Sequence, residues 1–566
     1  MASRAKTGAR AGSRRSGSSR KPQADAAQHL VLVPSSERPR KKGAKRLKDA
    51  SPRQRVDLTL TLRGPKLPDA GALAGRTLSL AQFKAKCGAS KTDADKVSRE
   101  LRKFGLSIDG VSLETRSMQV SGTVAQMEAA FHPNLGIYES ARQGTFRDRE
   151  GEHQVPASLR QIITAVLGFG ERRVAGRKPS KATARTVRPL KPFTPQDIES
   201  HYRFPPGNGA GQKIAIAEFG GGYFADDLDA YCKAFGRNVP AVKRVSIDAP
   251  IRNLAQMKRL KPAHRRDEID YTGEVMMDVQ IVAGLCPDAD ILVYFARDHQ
   301  KGWVDLLNQA IKDRPVALSI SWGAAEDSGD WSKAALNAIN ERLNLAALLG
   351  ITVCCASGDD GSGDMQTNRR AHVDFPSSSP YALAVGGTMI RHKAGKPVEQ
   401  TWRVGKGRRI RGVGGATGGG VSSVFAKPVW QRVAIASLNK GGFKGRVVPD
   451  LAALAGPPMY DLIFMNDRSP GGGTSASTPV LAALIARVNA LLPRAKRQRW
   501  LTRLLYEKTQ HGVALGHLAC HDVTIGNNVS NPNPGRGFKA GRGFDAVSGW
   551  GVPIGSSLLL GLGGSG

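Results

Sequence analysis

Residues 471–479 read GGGTSASTP and run directly into the apolar stretch VLAALIARVNALL. The pattern predicts a buried helix with a hydroxyl, Thr474 or Ser475, at its N-terminal end. Three preceding glycines let another backbone come close, and Pro479 is expected in the first helical turn, where proline is tolerated. Unpaired N–H groups and the partial positive charge of a helix start favour an oxyanion beside a nucleophile placed there. A glycine–serine loop capping an ordinary core helix looks the same, so the chemistry depends on a base elsewhere. Glu274 and Asp278, in EVMMD, stand at i and i+4 and share one helix face. The helix around them is apolar (Val275, Met276, Met277, Val279, Ile281, Val282), which argues against a solvated pair. Buried paired carboxylates share a proton and have their pKa values driven apart. One of them can then take a proton from Ser475 while the other orients it.

The elements that must position these groups follow from periodicity. From PFTPQDIESHY onward, strands KIAIAEFGGG (213–222), ADILVYFA (289–296), VALSISWG (316–323) and ITVCCASGDDG (351–361) alternate with helices at 274–287, 304–313 and 335–350. Such alternation predicts an α/β domain with a parallel sheet covered on both faces. Ligands collect at the carboxyl ends of such strands, where Glu218, Trp322 and Asp359 fall. Upstream, strands at 56–64, 117–123 and 135–140 mix with helices at 78–90, 94–110, 124–131 and 156–169, as in a separate α+β unit. The expected organisation is a basic disordered tail (1–54), the α+β unit (55–170), a basic linker (171–192) and the α/β domain (193–566).

Composition bounds the function. The 566 residues carry a formal net charge of +35, much of it in the tail and in the linker ERRVAGRKPSKATARTVRPLK. No zinc-finger spacing or RNA-binding aromatic motif accompanies that charge, so weak polyanion binding by solvated tails is the reading. No apolar run approaches the ~18 residues of a membrane span. The basic, serine-rich start has no apolar core behind it and is not a recognisable secretory signal. Six cysteines without a CxxC are expected as free thiols, mostly buried.

Taken together, AEFGGGY (217–223), EVMMD (274–278), SISWGAAE (319–326), ASGDDG (356–361), VDFPSSSPYALAVGGT (373–388), ATGGGVSSVF (416–425), RVVPDLAA (446–453) and GGTSAS (472–477) resemble the sedolisin family of serine-carboxyl peptidases, in its kumamolisin-like branch. SLAQFKAKCGAS and VSGTVAQMEAAF resemble that family's activation prodomain. The resemblance implies a subtilisin-like catalytic domain behind a ferredoxin-like prodomain. It makes Ser475 the nucleophile, Glu274 its general base, Asp278 the carboxylate behind the base and Asp359 the oxyanion donor. Glu218 and Trp322 would extend the hydrogen-bond chain. Asp374 would favour basic side chains near the scissile bond, and Gly418, Gly419 and Gly420 would line the substrate cleft with the Ser321–Gly323 backbone. An oxyanion repels a carboxylate, so Asp359 could serve only as the neutral acid, and the expected activity is acidic. A subtilisin-type histidine triad would need His264, which reads as part of a charged loop.

The same resemblance implies one structural calcium ion in the C-terminal loops HDVTIGNN (521–528) and AGRGFDAVSG (540–549). Asp522 and Asp545 would supply side-chain oxygens, and Val523, Gly541 and Gly543 carbonyls. The expected protein is a monomeric endopeptidase acting on proteins and peptides, made as a zymogen with its own prodomain as inhibitor and cut within the linker. The family is mostly exported or found in acidic compartments. From another class, an inactive peptidase-fold protein binding polyanions through its tail is the alternative.

Overall fold

The computed structural model describes residues 29–565, apart from 34, 74, 142, 176–179, 182–190 and 411–412. Most of the tail on which the polyanion reading rests, residues 1–28, lies outside the described residues.

The α/β domain is built on six parallel strands in the spatial order 241–246, 290–295, 213–218, 317–320, 352–356 and 383–393. Strand 396–401 returns antiparallel at one edge, and 451–454 joins in parallel beside 383–393. The central strand shows why the sheet has two covered faces. Ile214 and Ile216 enter a core shared with helices Pro262–Leu285 and Thr474–Leu491, whereas Ala215 and Ala217 enter the opposite core, with helices Gln300–Asp313 and Lys333–Leu348. Chain direction across the sheet reverses at 213–218, which places the ligand crevice at the ends of 213–218 and 317–320.

The N-terminal unit is antiparallel. Strands 163–167, 55–62, 117–123 and 107–112 lie side by side in that order, with helices Lys91–Arg102 and Val124–Phe131 between them in sequence. This is the split βαβ, ferredoxin-like arrangement expected. Three details depart from expectation. Residues described within 29–54 form strands: 30–32 pairs with 154–156 and 44–49 with 136–140. The charge of the basic run 38–48 is offset in part by Arg38–Asp148, Arg40–Glu150 and Lys41–Asp330 ion pairs. The helix expected at 156–169 is a short 3-10 turn followed by strand Ile163–Leu167. The helix expected to run on to 110 ends at Arg102 and is followed by strand Ser107–Ser112.

The unit docks on helices 300–313 and 333–348. The Thr59 hydroxyl donates to Asp305 at 2.8 Å, and Arg342 Nη2 donates to the Thr115 carbonyl at 2.9 Å. The first residues of the expected linker belong to this interface. Arg173 reaches Asp267 at 3.5 Å, while Arg172 turns back to the equally buried Asp148 of the N-terminal unit at 2.6 Å. None of the six cysteines forms a disulfide, and all but Cys520 are buried. No described helix is long and apolar enough to cross a membrane.

Candidate active site

Ser475 sits at the start of helix Thr474–Leu491, 1% exposed. Gly473 caps the helix with φ 97°, and a Cβ there would fall 2.9 Å from Asp359 Oδ2, so glycine is required by both backbone and space. Pro479 lies inside the helix rather than in its first turn. Lacking an N–H, it leaves the Ser475 carbonyl, four residues back, without its helical donor. Ser321 Oγ approaches that carbonyl to 3.2 Å and Asp278 Oδ2 to 2.5 Å. The Ser475 hydroxyl donates to the Ser321 carbonyl at 3.4 Å.

Helix Pro262–Leu285 carries Glu274 and Asp278 into this region, both fully buried. Glu218, at the end of the central strand, joins them and takes the Trp322 indole N–H on Oε2 at 3.0 Å. Burial pushes the Glu218 carboxyl well above its ordinary range; the Trp322 bond opposes this and the Glu274 charge adds to it. Burial likewise pushes Asp278 well up, reinforced by Glu218 and Glu274 and opposed by Ser321. Three carboxyls in one dry cluster cannot all ionise, so the cluster holds protons above the ordinary carboxylate range. The Ser321 hydroxyl faces two acceptors, Asp278 Oδ2 and the Ser475 carbonyl, and ties the carboxyl cluster to the start of the Ser475 helix.

Asp359 follows strand 352–356 and lies on the other side of the Ser475 helix start. Its Oδ1 accepts the Thr474 N–H at 2.9 Å and the Thr474 hydroxyl at 2.7 Å. Its Oδ2 accepts Arg409 Nη1 at 3.3 Å. Arg409 belongs to the hairpin of 403–410 and 413–416 and also grips Asp360, through Nε at 3.1 Å and Nη2 at 2.6 Å. Sequence reasoning missed the Ser321 hydroxyl, the bonds of Thr474 to Asp359, and Arg409. The first two stand inside motifs already singled out, but Arg409 is hidden in the basic run GKGRRIRGVGG.

The cleft is not empty. Residues Ser180–Lys181 of the linker pair antiparallel with Gly471–Gly472, immediately before Gly473 and Ser475. Asp374 is buried in a two-residue strand paired with Ala324–Ala325, and a Cβ on Gly323 would lie 1.9 Å from its Oδ1. Gly418 and Gly419 direct their carbonyls inward, to the Ser357 hydroxyl and the Asn528 amide, so they brace the Asp359 turn instead of offering those oxygens to the cleft. Gly420 opens strand 420–426 and is buried. His264 is exposed in the first turn of helix Pro262–Leu285, not in a loop.

The C-terminal loops bring the expected metal ligands together. The Gly543 N–H donates to Asp522 Oδ2 at 2.8 Å and the Gly541 N–H to Asp545 Oδ2 at 3.0 Å, while the Ser548 hydroxyl approaches the Val523 carbonyl at 3.4 Å. Asp522 Oδ1 is buried without a hydrogen-bond partner among the described residues, which fits an oxygen ligand of a hard cation. Among the described residues there is no group of three or more His, Cys, Asp or Glu side chains suited to a metal, so any ion here would depend on backbone carbonyls.

Residues 42–172 match the family described as Pro-kumamolisin, activation domain, and residues 269–541 match the Subtilase family. Kumamolisin of Bacillus sp. (strain MN-32) is 35% identical over 536 residues, covering 90% of this chain and 92% of that protein. Tripeptidyl-peptidase sed5 of Aspergillus fumigatus is 26% identical, covering 93% of this chain and 96% of its own length. Human tripeptidyl-peptidase 1 is 28% identical over 438 residues, covering 72% of this chain and 71% of that protein. Among solved structures, Pseudomonas sedolisin superposes with a TM-score of 0.54 at 24% identity, over 65% of this chain and 97% of that one, a likeness of fold. With this extent of identity to kumamolisin and an activation domain ahead of a subtilase domain, the chain belongs to the sedolisin family of serine-carboxyl peptidases, in its kumamolisin-like branch.

Proposed function

We propose that this serine-carboxyl peptidase is an acid-active endopeptidase made as a self-processing zymogen. The observation that carries the reading is the linker strand 180–181 against Gly471–Gly472, beside a serine flanked by a carboxylate cluster and by Asp359. Chain continues on both sides of that strand, to the prodomain and to the catalytic domain. A cleft that holds an internal segment suits internal cleavage better than removal of tripeptides from a free end.

In the proposed mechanism Ser475 Oγ attacks the scissile carbonyl carbon while Glu274 accepts its proton. Asp278, held by Ser321, and Glu218, held by Trp322, fix the charge and orientation of Glu274. The developing oxyanion is met by a protonated Asp359 donating a hydrogen bond, which requires acid. Glu274 then returns its proton to the leaving amine, and a water molecule repeats the sequence on the acyl-enzyme. Asp374, behind Trp322–Gly323, favours a basic side chain next to the cut, and Gly420 leaves room for the substrate backbone. Asp522 and Asp545, with the carbonyls of Val523, Gly541 and Gly543, would hold a calcium ion, which supplies cross-linking of the C-terminal loops and no chemistry.

Acid also loosens the prodomain. Its contacts to Asp305, Asp330 and Asp267 depend on charged carboxylates, and protonation weakens such bonds. The test is a pH–rate profile on a denatured protein substrate after acid incubation, with wild type and Ser475→Ala in parallel. Acid-dependent processing and activity, both missing in the alanine variant, are expected. A neutral optimum for the mature form, or full activity of the uncut chain, would count against the proposal.

A further inference from the structure

A recess of about 570 Å³ opens away from the catalytic cluster, between the start of the α/β domain, the 383–401 hairpin and the C-terminal strand Val552–Pro553. Ser475, Glu274, Asp278 and Asp359 take no part in its wall. Its volume falls in the range of small-molecule sites. The wall has two chemistries. Phe193, Ile390 and Val552 give it an apolar floor, and Lys191, Arg203 and His392 give it a basic rim. The salt bridges among the described residues include neither Arg203 nor His392, while Lys191 lies close enough to Asp461 to oppose the rise that burial imposes on its carboxyl. The carboxylate in the wall, Glu399, is already occupied: His201 Nε2 stands 3.0 Å from one oxygen and the Thr388 hydroxyl donates to the other. The recess therefore offers the Arg203 guanidinium and the Lys191 ammonium, the latter partly balanced by Asp461, beside an apolar surface.

We propose that this recess binds an amphipathic carboxylate, with an apolar side chain on the Phe193–Ile390–Val552 floor and the carboxylate between Arg203 and Lys191. A guanidinium and an ammonium recognise a carboxylate through charge-assisted bonds. The chemistry is that of a peptide's free C-terminus following an apolar residue, and equally of a small aryl-alkanoic acid. An inorganic anion would leave the floor uncovered. The assignment does not rest on the peptidase reading: apart from Lys191, which lies at the end of the expected linker, the residues it uses lie outside the Ser475 cluster and the linker.

The test uses the full chain carrying Ser475→Ala, which keeps it uncut, and isothermal titration with three probes: N-acetyl-Leu-Phe as the free acid, the same peptide as its C-terminal amide, and 3-phenylpropionate. The acid is expected to bind at least about tenfold more tightly than the amide, the size of one charge-assisted contact. Arg203→Ala and Lys191→Ala should each weaken the acid by a similar factor, with the thermal midpoint unchanged. Binding of 3-phenylpropionate as tight as that of the peptide acid would show that free acids suffice; binding of the peptide alone would assign the ligand to a C-terminus. Acid and amide binding alike, an affinity that survives the double variant, or no binding up to about 10 mM peptide would overturn the proposal.

Discussion

Arg409 donates to the same oxygen of Asp359 that is left open after Thr474 has filled the other. On the proposed mechanism that oxygen, Oδ2, must carry the proton offered to the oxyanion. Arg409 and the proton compete for it. Arg409 is anchored separately on Asp360 through Nε and Nη2, so Nη1 can leave Asp359 without the hairpin letting go. Arg409→Gln, which keeps a donor for Asp360 and removes the charge, is expected to raise kcat of the mature enzyme by roughly 3–10-fold, the scale of one ordinary hydrogen bond. A folded variant with a lower kcat would mean that Arg409 assists the oxyanion instead of opposing its donor.

Ser321 links two things that sequence keeps far apart, the Asp278 carboxyl and the Ser475 carbonyl released by Pro479. Its loss leaves two buried polar groups without that partner and lets Asp278 drift from its place behind Glu274. Ser321→Ala is expected to lower kcat about 10–100-fold with little change in KM, since removing a buried partner costs ~1–3 kcal/mol. A rise in KM with kcat unchanged would show that the residue serves substrate binding.

Much of this site was legible in the sequence because its parts sit at strand ends and on one helix face. Glu218, Trp322 and Asp359 follow apolar strands, and the i, i+4 spacing of Glu274 and Asp278 brought both to one side. The strand at 163–167 was not legible, for a physical reason. Val166 faces the core of its own unit, while Ala165 and Leu167 face the helices of the catalytic domain. A strand buried on both faces loses its alternation, and the second face is buried only by docking between domains. Arg409 was equally hidden, since one functional cation in a basic run has no signature until Asp359 and Asp360 are folded against it. Gly418 read as a cleft residue, but the close approach it permits is to Ser357, where a Cβ would meet the carbonyl oxygen at 1.8 Å.

Stability should carry the mark of the buried carboxyls. Glu218 and Asp278 are held well above the ordinary range in the folded state by burial and by their neighbours, whereas in the unfolded chain they titrate near ~4. Between those limits the folded protein binds more protons than the unfolded one, so stability falls as pH rises. The stabilisation is fully present below the unfolded value and is lost as pH rises through the window toward the folded values, at up to about 1.4 kcal/mol per pH unit for each group. In a Ser475→Ala background, which prevents autolysis, Glu218→Gln is expected to flatten the decline of Tm with pH above ~4. An unchanged slope would mean that Glu218 titrates alike in both states.

The C-terminal loops provide a test of the proposed metal that is independent of catalysis. Asp522 Oδ1 is buried without a hydrogen-bond partner among the described residues, while the other carboxylate oxygen takes the Gly543 N–H. A cation bound there stabilises the folded state in proportion to the logarithm of its concentration over Kd, about 2.7 kcal/mol at a hundredfold excess. Chelation should therefore lower Tm on the order of 5 °C, and added calcium should restore it. Asp522→Asn should start from the lower Tm and fail to respond to calcium. At temperatures where both remain folded, the kcat of chelated and calcium-loaded enzyme should agree, because Asp522 and Asp545 lie outside the Ser475 cluster. A Tm indifferent to chelator and calcium alike would remove the ion from the proposal and leave Asp522 as a carboxylate held by the loop backbone.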